Sequence, residues 1–577
     1  MLLGRLLKAI RSPRAAAGPA WVSEQLRQGS SLMQAGAWEE AAACFEQALR
    51  DAPEDVELLS RLGLCHVAAG RLERATPCFE RTLRIDPDFA LAHIHFGNLA
   101  MLARDAEGAM ARYRVALQTA PRDPNLLNNL GMASQTLGLV DEAIGYYRRA
   151  LELEPRFRDA HSNLLCCMNL SPRYSADAMF REYQEWSAIH EAPLAGEIRP
   201  HPNARDPDRR LRIGYVSPDF RRHAVAYFIE PLLANHDRDR HEIYCYYNSP
   251  NSDQVTARLR GLGHHWRDVA GVSDAALAER VREDGIDILV DLAGHTRGDR
   301  LLAFARKPAP VQVTYLGYPN TSGMRTIDYR LTDDRADPGG FADRYHCERL
   351  ARLPRTQWCY LPDAGALPVN ALPASSSGGV TFGSFNNIAK IGDAVILAWS
   401  RILRLVPGST LLMTSIPGES ARARIAAAFS ACGVDGSRLV LPSYLSDRDF
   451  WRVRHRVDIA LDPFPYNGTT STCEALWTGL PVITLAGTYG PSRTGASLLA
   501  AVGLEEFVAQ TVDQYVDLAA GLAGDLQRVQ SLRSSLRERM RNSPLMDPRG
   551  FTRALETLYR GMWKAWLAGF SPAGARE

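Results

Sequence analysis

The sequence predicts an α-helical solenoid followed by two α/β domains of Rossmann-like type. Three observations predict this. A 34-residue pattern repeats four times near the start of the chain. Beyond about residue 209, apolar runs of strand length alternate with helix-length segments, the mark of parallel sheets. A short stretch rich in Ala, Pro, Ser and Gly at 368–379 then divides that region in two.

The repeat register is close. Pro53, Pro87, Pro121 and Pro155 fall 34 apart, as do Gly29, Gly63, Gly97 and Gly131, and Phe45, Phe79, Tyr113 and Tyr147. Ala48, Thr82, Ala116 and Ala150 keep the same phase. Small, aromatic, small and Pro positions at this period are the tetratricopeptide signature, a helix–turn–helix unit that stacks into a superhelix. The small residues let two helices approach, and the aromatic ring fills the gap between them. The repeats are assigned to 22–170. Past Pro155 the unit degenerates, with Leu165 in place of the Gly, and 171–208 reads as a helical cap and linker. Residues 1–21 form a basic segment: Arg5, Lys8, Arg11 and Arg14 lie among Leu2, Leu3, Leu6, Leu7 and Ile10. It is too broken for a signal peptide, and either packs on the repeats or touches a membrane surface.

The first α/β domain is assigned to 209–367, with strands at 211–216, 243–247, 286–292 and 311–316. The second, 380–544, has strands at 380–385, 410–414, 439–441, 457–461 and 481–485. The remainder, 545–577, is a helix at 551–567 that crosses back to the first domain, and a tail. Two such halves joined by a linker predict a ligand between them.

Composition narrows the function. The 577 residues carry 67 Lys and Arg against 65 Asp and Glu. This gives no electrostatic case for nucleic acid. No run approaches the roughly 18 apolar residues of a membrane span. The ten cysteines lack metal-ligand spacing and read as reduced cytoplasmic thiols. Cys44 and Cys78, at one repeat position, read as small core residues. The Asp-x-Asp triplets at 206/208, 237/239 and 447/449 fall in polar loops or helix starts, and no metal site is inferred from them.

Three segments hold more polar and Gly residues than strand ends need. The first, VSPDFRRH at 216–223, follows the first strand of its domain. Asp219 and His223 pair as an acid/base couple, hydrogen-bond a sugar, or serve as a helix cap and turn closure. The second, GSFNNIAK at 383–390, opens the second domain. Its Lys390 would act as a point charge on a diphosphate, or is a solvated helix-start lysine. No GxxxxGK[ST] loop is present. The third runs from Asp462 to Glu474. Gly468, Thr469, Thr470, Ser471 and Thr472 open a helix there, and N–H groups with hydroxyls at a helix start suit phosphate. Glu474, one turn in, could accept from ribose hydroxyls. His295 and Arg300 follow another strand and could line the cleft. Leu316, Gly317 and Pro319 form a turn that could meet a ligand through its backbone.

These repeats and segments, in this order, resemble the O-linked N-acetylglucosamine transferases that modify protein Ser and Thr residues. The resemblance covers nearly the whole chain from about residue 22. It implies tetratricopeptide repeats fused to a GT-B fold. It also implies an inverting transfer from UDP-N-acetylglucosamine (UDP-GlcNAc) without a catalytic metal or other cofactor, and polypeptide acceptors held by the repeat groove. The family's catalytic-region His and Asp fall on His223 and Asp219. Its diphosphate Lys falls on Lys390, with Asn387 where Gln is common. Its phosphate-binding hydroxyls fall on Thr470 and Ser471, and its ribose acid on Glu474. Arg300 and the Leu316–Pro319 turn match the donor-sugar pocket, and Leu445 a backbone contact to uracil. The Asn ladder that grips acceptor backbone is reduced to Asn129 and Asn163, since Arg61 and His95 hold the equivalent places. Phe450 stands where a His stacks on uracil in animal enzymes, Thr469 replaces a His, and Ala389 a Tyr. The long insertion between the animal catalytic domains is absent. The wording FGSFNNIAK, GYPNTSG and FPYNGTTSTCE is closer to the plant Spindly-type branch, whose members can use GDP-fucose. A non-catalytic nucleotide-binding scaffold is the reading from a different class.

Overall fold

The computed structural model describes residues 20–569. The basic segment at 1–21 lies almost wholly outside the described residues, as does the end of the tail. Contacts divide the chain into two compact units, one built on the repeats through Ala160 and one from His161 onward.

In the first unit, four helix pairs follow in sequence: Ala20–Gln34 with Trp38–Asp51, Val56–Ala68 with Leu72–Ile85, Ala90–Leu102 with Ala106–Thr119, and Pro124–Thr136 with Val140–Leu153. The repeat Gly is required by packing. A Cβ on Gly29, Gly63, Gly97 or Gly131 would come within 2.3–2.5 Å of the ring of Phe45, Phe79, Tyr113 or Tyr147. Asp55 and Asp123 cap the first helix of their repeats through two backbone N–H groups each. The turn inside each repeat needs a left-handed residue. Gly36, Gly70 and Gly138 supply it, but Arg104 occupies the same phase at φ 62°. Cys44 and Cys78 are half-buried rather than core residues.

The first compact unit ends at Ala160, within the stretch assigned to the repeats. Helices Arg158–Met168 and Ala176–Trp186 carry side chains that join the first α/β domain instead of a further repeat. Asn169 Nδ2 donates to the Tyr183 and Tyr318 hydroxyls at 2.9 and 2.8 Å, and Asn320 Nδ2 donates back to Asn169 Oδ1 at 2.8 Å.

The first α/β domain has seven parallel strands: β1 Leu211–Ser217, β2 His241–Tyr247, β3 His265–Asp268, β4 Ile288–Asp291, β5 Val311–Thr314, β6 Tyr329–Thr332 and β7 Arg349–Arg352. Their order is β3-β2-β1-β4-β5-β6-β7. The second domain holds β8 Thr381–Ser384, β9 Thr410–Met413, β10 Leu439–Val440, β11 Ile459–Leu461, β12 Val482–Leu485 and β13 Val508–Ala509, in the order β10-β9-β8-β11-β12-β13. Strand order reverses at β1/β4 and at β8/β11, and such switch points open a crevice at the strands' carboxyl ends. The segments singled out from sequence follow β1, β4, β8 and β11, so both switch points carry them.

The segment 368–379 is tied down rather than loose. Leu372 is buried, and the Asp458 carboxylate accepts from Ala374 N and Thr381 N at 3.0 and 2.8 Å. Helix Pro548–Leu567 returns to the first domain and buries Phe551, Leu555, Tyr559, Met562 and Trp563 in its core. Among the described residues, no helix is long and apolar enough to cross a membrane.

Candidate active site

Three clusters form at the two switch points. The first follows β1. Asp219 is buried, and its Oδ2 lies 3.5 Å from His223 Nδ1, while Arg221 reaches Oδ1 at 3.3 Å. Burial raises the Asp219 carboxyl, with His223 and Arg221 pulling it back, and burial lowers the His223 imidazole. His223 is therefore neutral near pH 7. Val225 N–H also approaches its Nδ1, at 3.3 Å. The two neighbours compete over the tautomer: the carboxylate favours a proton on Nδ1, which leaves Nε2 as the open acceptor. His223 borders a cavity of about 680 Å³ that includes Tyr227, Arg258 and Asp363.

The second cluster joins β8 to β11. Lys390 Nζ donates to the Asn467 carbonyl at 2.7 Å and lies 4.4 Å from the centre of the Tyr466 ring. Burial lowers the ammonium to about 8, against a pull upward from Asp462. Burial in turn raises the Asp462 carboxyl to about 7. Asp462 accepts from Gly468 N at 2.6 Å and from Thr484 Oγ1 at 2.7 Å, which shapes the loop ahead of helix Thr470–Trp477. No side chain caps that helix. Ser471 Oγ donates to Asn386 Oδ1 at 3.0 Å, and Thr472 Oγ1 to Gly468 O at 3.2 Å. Ordinary capping therefore does not explain the four hydroxyls. Thr469 and Thr470 are half-buried, and exposed Asn387 caps the turn Ile388–Lys390 by accepting from Ala389 N.

The third cluster holds Glu474, buried and ion-paired with Arg454. Burial raises the Glu474 carboxyl while Arg454 pulls it down. Phe450 and Leu445 are half-buried against the second domain's core. Tyr227 and Asp363, bonded at 3.0 Å, lie within electrostatic reach of Glu474 and link this cluster to the His223 cavity.

The Leu316–Pro319 turn spans the domains. Leu316 takes φ 70° and packs against both cores. A Cβ on Gly317 would fall 1.9 Å from the Leu292 carbonyl, and one on Gly490 would fall 2.4 Å from that of Pro319. Tyr466, beneath Lys390, is within electrostatic reach of Tyr318.

His295 and Arg300 are buried, with their polar atoms turned to the protein. His295 Nε2 lies 2.8 Å from Ser322 O, and its Nδ1 3.3 Å from Ser162 Oγ. Arg300 serves Asp274, Asn248 Oδ1 and the carbonyls of Val269 and Val272. As placed, both brace the loop after β4. The ladder residues also divide. Asn129 lies in the repeat unit, where its Nδ2 donates to Asn98 Oδ1 at 3.1 Å, and Asn163 lies on the first helix of the second unit. Arg61 pairs with Glu57, and the His95 ring lies tilted against Phe79, with burial lowering its imidazole to about 3.

Sequence reading missed Arg454, and gave Asp462 and Asn467 no role of their own within the third segment. Asp462 had a signal, since it directly follows β11 at the switch point. Arg454 had none. Among the described residues, the structure also gathers one set of possible metal ligands, His236, His241 and Glu556. Glu556 Oε1 accepts from Asp237 N and lies 2.9 and 3.1 Å from the two Nδ1 atoms. Hydrogen bonding accounts for this cluster without an ion.

The sequence profile of glycosyl transferase family 41 matches residues 187–363 and 371–555, and tetratricopeptide profiles match 26–88, 66–124 and 124–157. The chain belongs to glycosyl transferase family 41. It is similar to the probable UDP-N-acetylglucosamine–peptide N-acetylglucosaminyltransferase SPINDLY of Solanum lycopersicum, with 42% identity over 430 residues, 73% of this chain and 46% of that one. The SEC protein of Arabidopsis thaliana, described as a probable enzyme of the same kind, is 32% identical over 63% of this chain and 38% of its own. The chain spans about half the length, or less, of the curated relatives it matches. A solved mutant of the Thermobaculum terrenum O-GlcNAc transferase superposes with a TM-score of 0.84 at 38% identity, over 90% of this chain and 99% of that one.

Proposed function

We propose that this chain transfers N-acetylglucosamine from UDP-GlcNAc to Ser or Thr hydroxyls of polypeptides, with inversion and without a catalytic metal. The observation that carries the reading is Lys390. A lysine of lowered pKa stands beside an uncapped, hydroxyl-rich helix start at the β8/β11 switch point, a seat suited to a diphosphate. In this reading Lys390, Thr470, Ser471 and the N–H groups that follow Gly468 hold the two phosphates. They stabilise the charge that grows as the diphosphate leaves, which should be the largest catalytic contribution. Glu474 takes the ribose, Phe450 and Leu445 face the base, and the Leu316–Pro319 backbone closes over the sugar. The acceptor hydroxyl attacks from the opposite face. His223 takes its proton at Nε2, worth about 10²–10⁴-fold, with Asp219 holding the tautomer. The repeats hold the polypeptide, and Asn129 and Asn163 grip its backbone. Arg300 and His295 act from behind, by fixing the loop that supports the turn.

A second reading, transfer of fucose from GDP-fucose, is favoured by Phe450 and by the NNIAK and NGTTSTCE wording. Incubating the purified chain with each donor and a Ser/Thr peptide library, then reading product mass, separates them. A gain of one N-acetylhexosamine supports the first reading, and a gain of one deoxyhexose moves the donor to the second. Nucleotide binding without either product supports the scaffold instead.

A further inference from the structure

Arg454 is the most completely buried charge near the proposed nucleotide seat. It ends helix Asp447–Arg454, and none of its side chain is exposed. Three rings cage its guanidinium, with centroids at 3.8 Å for Phe450, 4.5 Å for Phe385 and 5.0 Å for Trp451. Nη1 donates to the Phe450 carbonyl at 2.9 Å, Nη2 donates to Glu474 Oε2, and Nε has no hydrogen-bond partner. An arginine cannot shed its proton, so the ring faces and one carboxylate must offset its desolvation.

Glu474 is the other half of the pair. Only its Oε2 is bonded to Arg454, and Oε1 accepts no hydrogen bond from the described residues. A buried carboxyl without a cation would hold its proton, and a neutral acid binds a sugar diol more weakly than a carboxylate does. One oxygen is thus pinned by a permanent charge while the other stays open.

From this geometry we infer that Arg454 is a positioning residue for the donor nucleotide, one that keeps Glu474 ionised and orients its open oxygen toward the ribose hydroxyls. The inference rests on the proposed nucleotide seat and deepens it. Because Arg454 touches the carbonyl and ring of Phe450, it also fixes the platform that faces the base. A simple truncation of Glu474 would mislead, since it strands a buried guanidinium and destabilises the domain whatever the acid does for a ligand.

The test is calorimetric titration of the full chain with UDP and GDP and their 2′-deoxy and 3′-deoxy forms. A hydrogen bond to a charged group predicts that wild type prefers the ribonucleotide over the worse deoxy form by about 10- to 100-fold. Arg454→Met should cut that ratio below about 3-fold while diphosphate-dependent binding persists. Arg454→Lys, which keeps the charge, should retain most of it. If Arg454→Met does not fold, the double variant Arg454→Met/Glu474→Leu removes the whole buried pair, and should fold and bind without ribose preference. A wild-type preference that survives in Arg454→Met or in the double variant overturns the inference, and so does a wild type that binds nucleotide with no ribose preference. A wild type that binds none of the nucleotides overturns the nucleotide seat together with it.

Discussion

Replacing Lys390 by Met tests the proposed phosphate seat with little disturbance to packing. The thioether keeps nearly the length of the lysine stem, and only the ammonium and its bond to the Asn467 carbonyl are lost. A unit charge about 4 Å from a phosphate oxygen, at an effective dielectric near 20, is worth about 4 kcal/mol. At about 1.36 kcal/mol per decade this is a loss of about 10³-fold in kcat/KM. The helix start at Thr470 and Ser471 remains, so donor binding should weaken less than turnover does. The charge on the diphosphate grows only as the sugar leaves, so the loss should fall mainly on kcat. Initial rates over a range of donor concentrations separate the two, with circular dichroism and the melting temperature as folding controls. A folded Lys390→Met protein that loses less than tenfold in kcat/KM would refute the assignment of the ammonium to the leaving diphosphate.

Three further outcomes are expected. The Lys390 ammonium is lowered to about 8, so its charge is lost as pH rises through that value. The free-enzyme profile of kcat/KM should fall above about pH 8, with an apparent value belonging to the Lys390–Asp462 pair, and Lys390→Arg should move that limb upward or abolish it. Arg104 takes a left-handed conformation that costs roughly 1–2 kcal/mol, and a glycine gives back part of the gain through chain entropy. Arg104→Gly should therefore stabilise the repeats by up to about 1 kcal/mol in urea unfolding, and a destabilised variant would contradict the strain. Glu556 accepts from Asp237 N and lies within hydrogen-bond distance of His236 and His241, and these partners hold its carboxyl well below the usual range. Its contribution is present above the ordinary carboxylate pKa and lost as pH falls below it. Glu556→Ala should cost about 3 kcal/mol at pH 7 by leaving the buried His236 unsatisfied, with a smaller difference from wild type near pH 3.

The repeats were legible because each Gly–aromatic contact recurs in phase, and packing enforces that phase at Gly29, Gly63, Gly97 and Gly131. Strands β1, β2, β4 and β5 were legible as apolar runs. The edge strand β3 was not, because a partner on one side leaves residues such as His265 and Asp268 exposed. The short strands β6 and β7 carry Arg330, Arg349 and Arg352, and β13 is two residues long, so none has a readable period. The site divides in the same way. Lys390, Thr470, Ser471 and Glu474 follow strands directly, and their chemistry shows in a contiguous segment. Arg454 acts through a carboxylate twenty positions on and through three rings from two segments, an arrangement that exists only once the domain is folded. Arg300 and His295 show the converse. Their residue types suit a ligand, but folding commits them to Asp274, Asn248, Ser322 and Ser162.

The most direct test of the central claim is calorimetric titration of wild type and Lys390→Met with UDP and with GDP. The account predicts saturable binding of one nucleotide diphosphate to wild type, UDP if the donor is UDP-GlcNAc, weakened at least tenfold in the folded variant. Equal binding by both proteins, or none of either nucleotide to wild type, would contradict a diphosphate seat built on Lys390 and the helix start at Thr470.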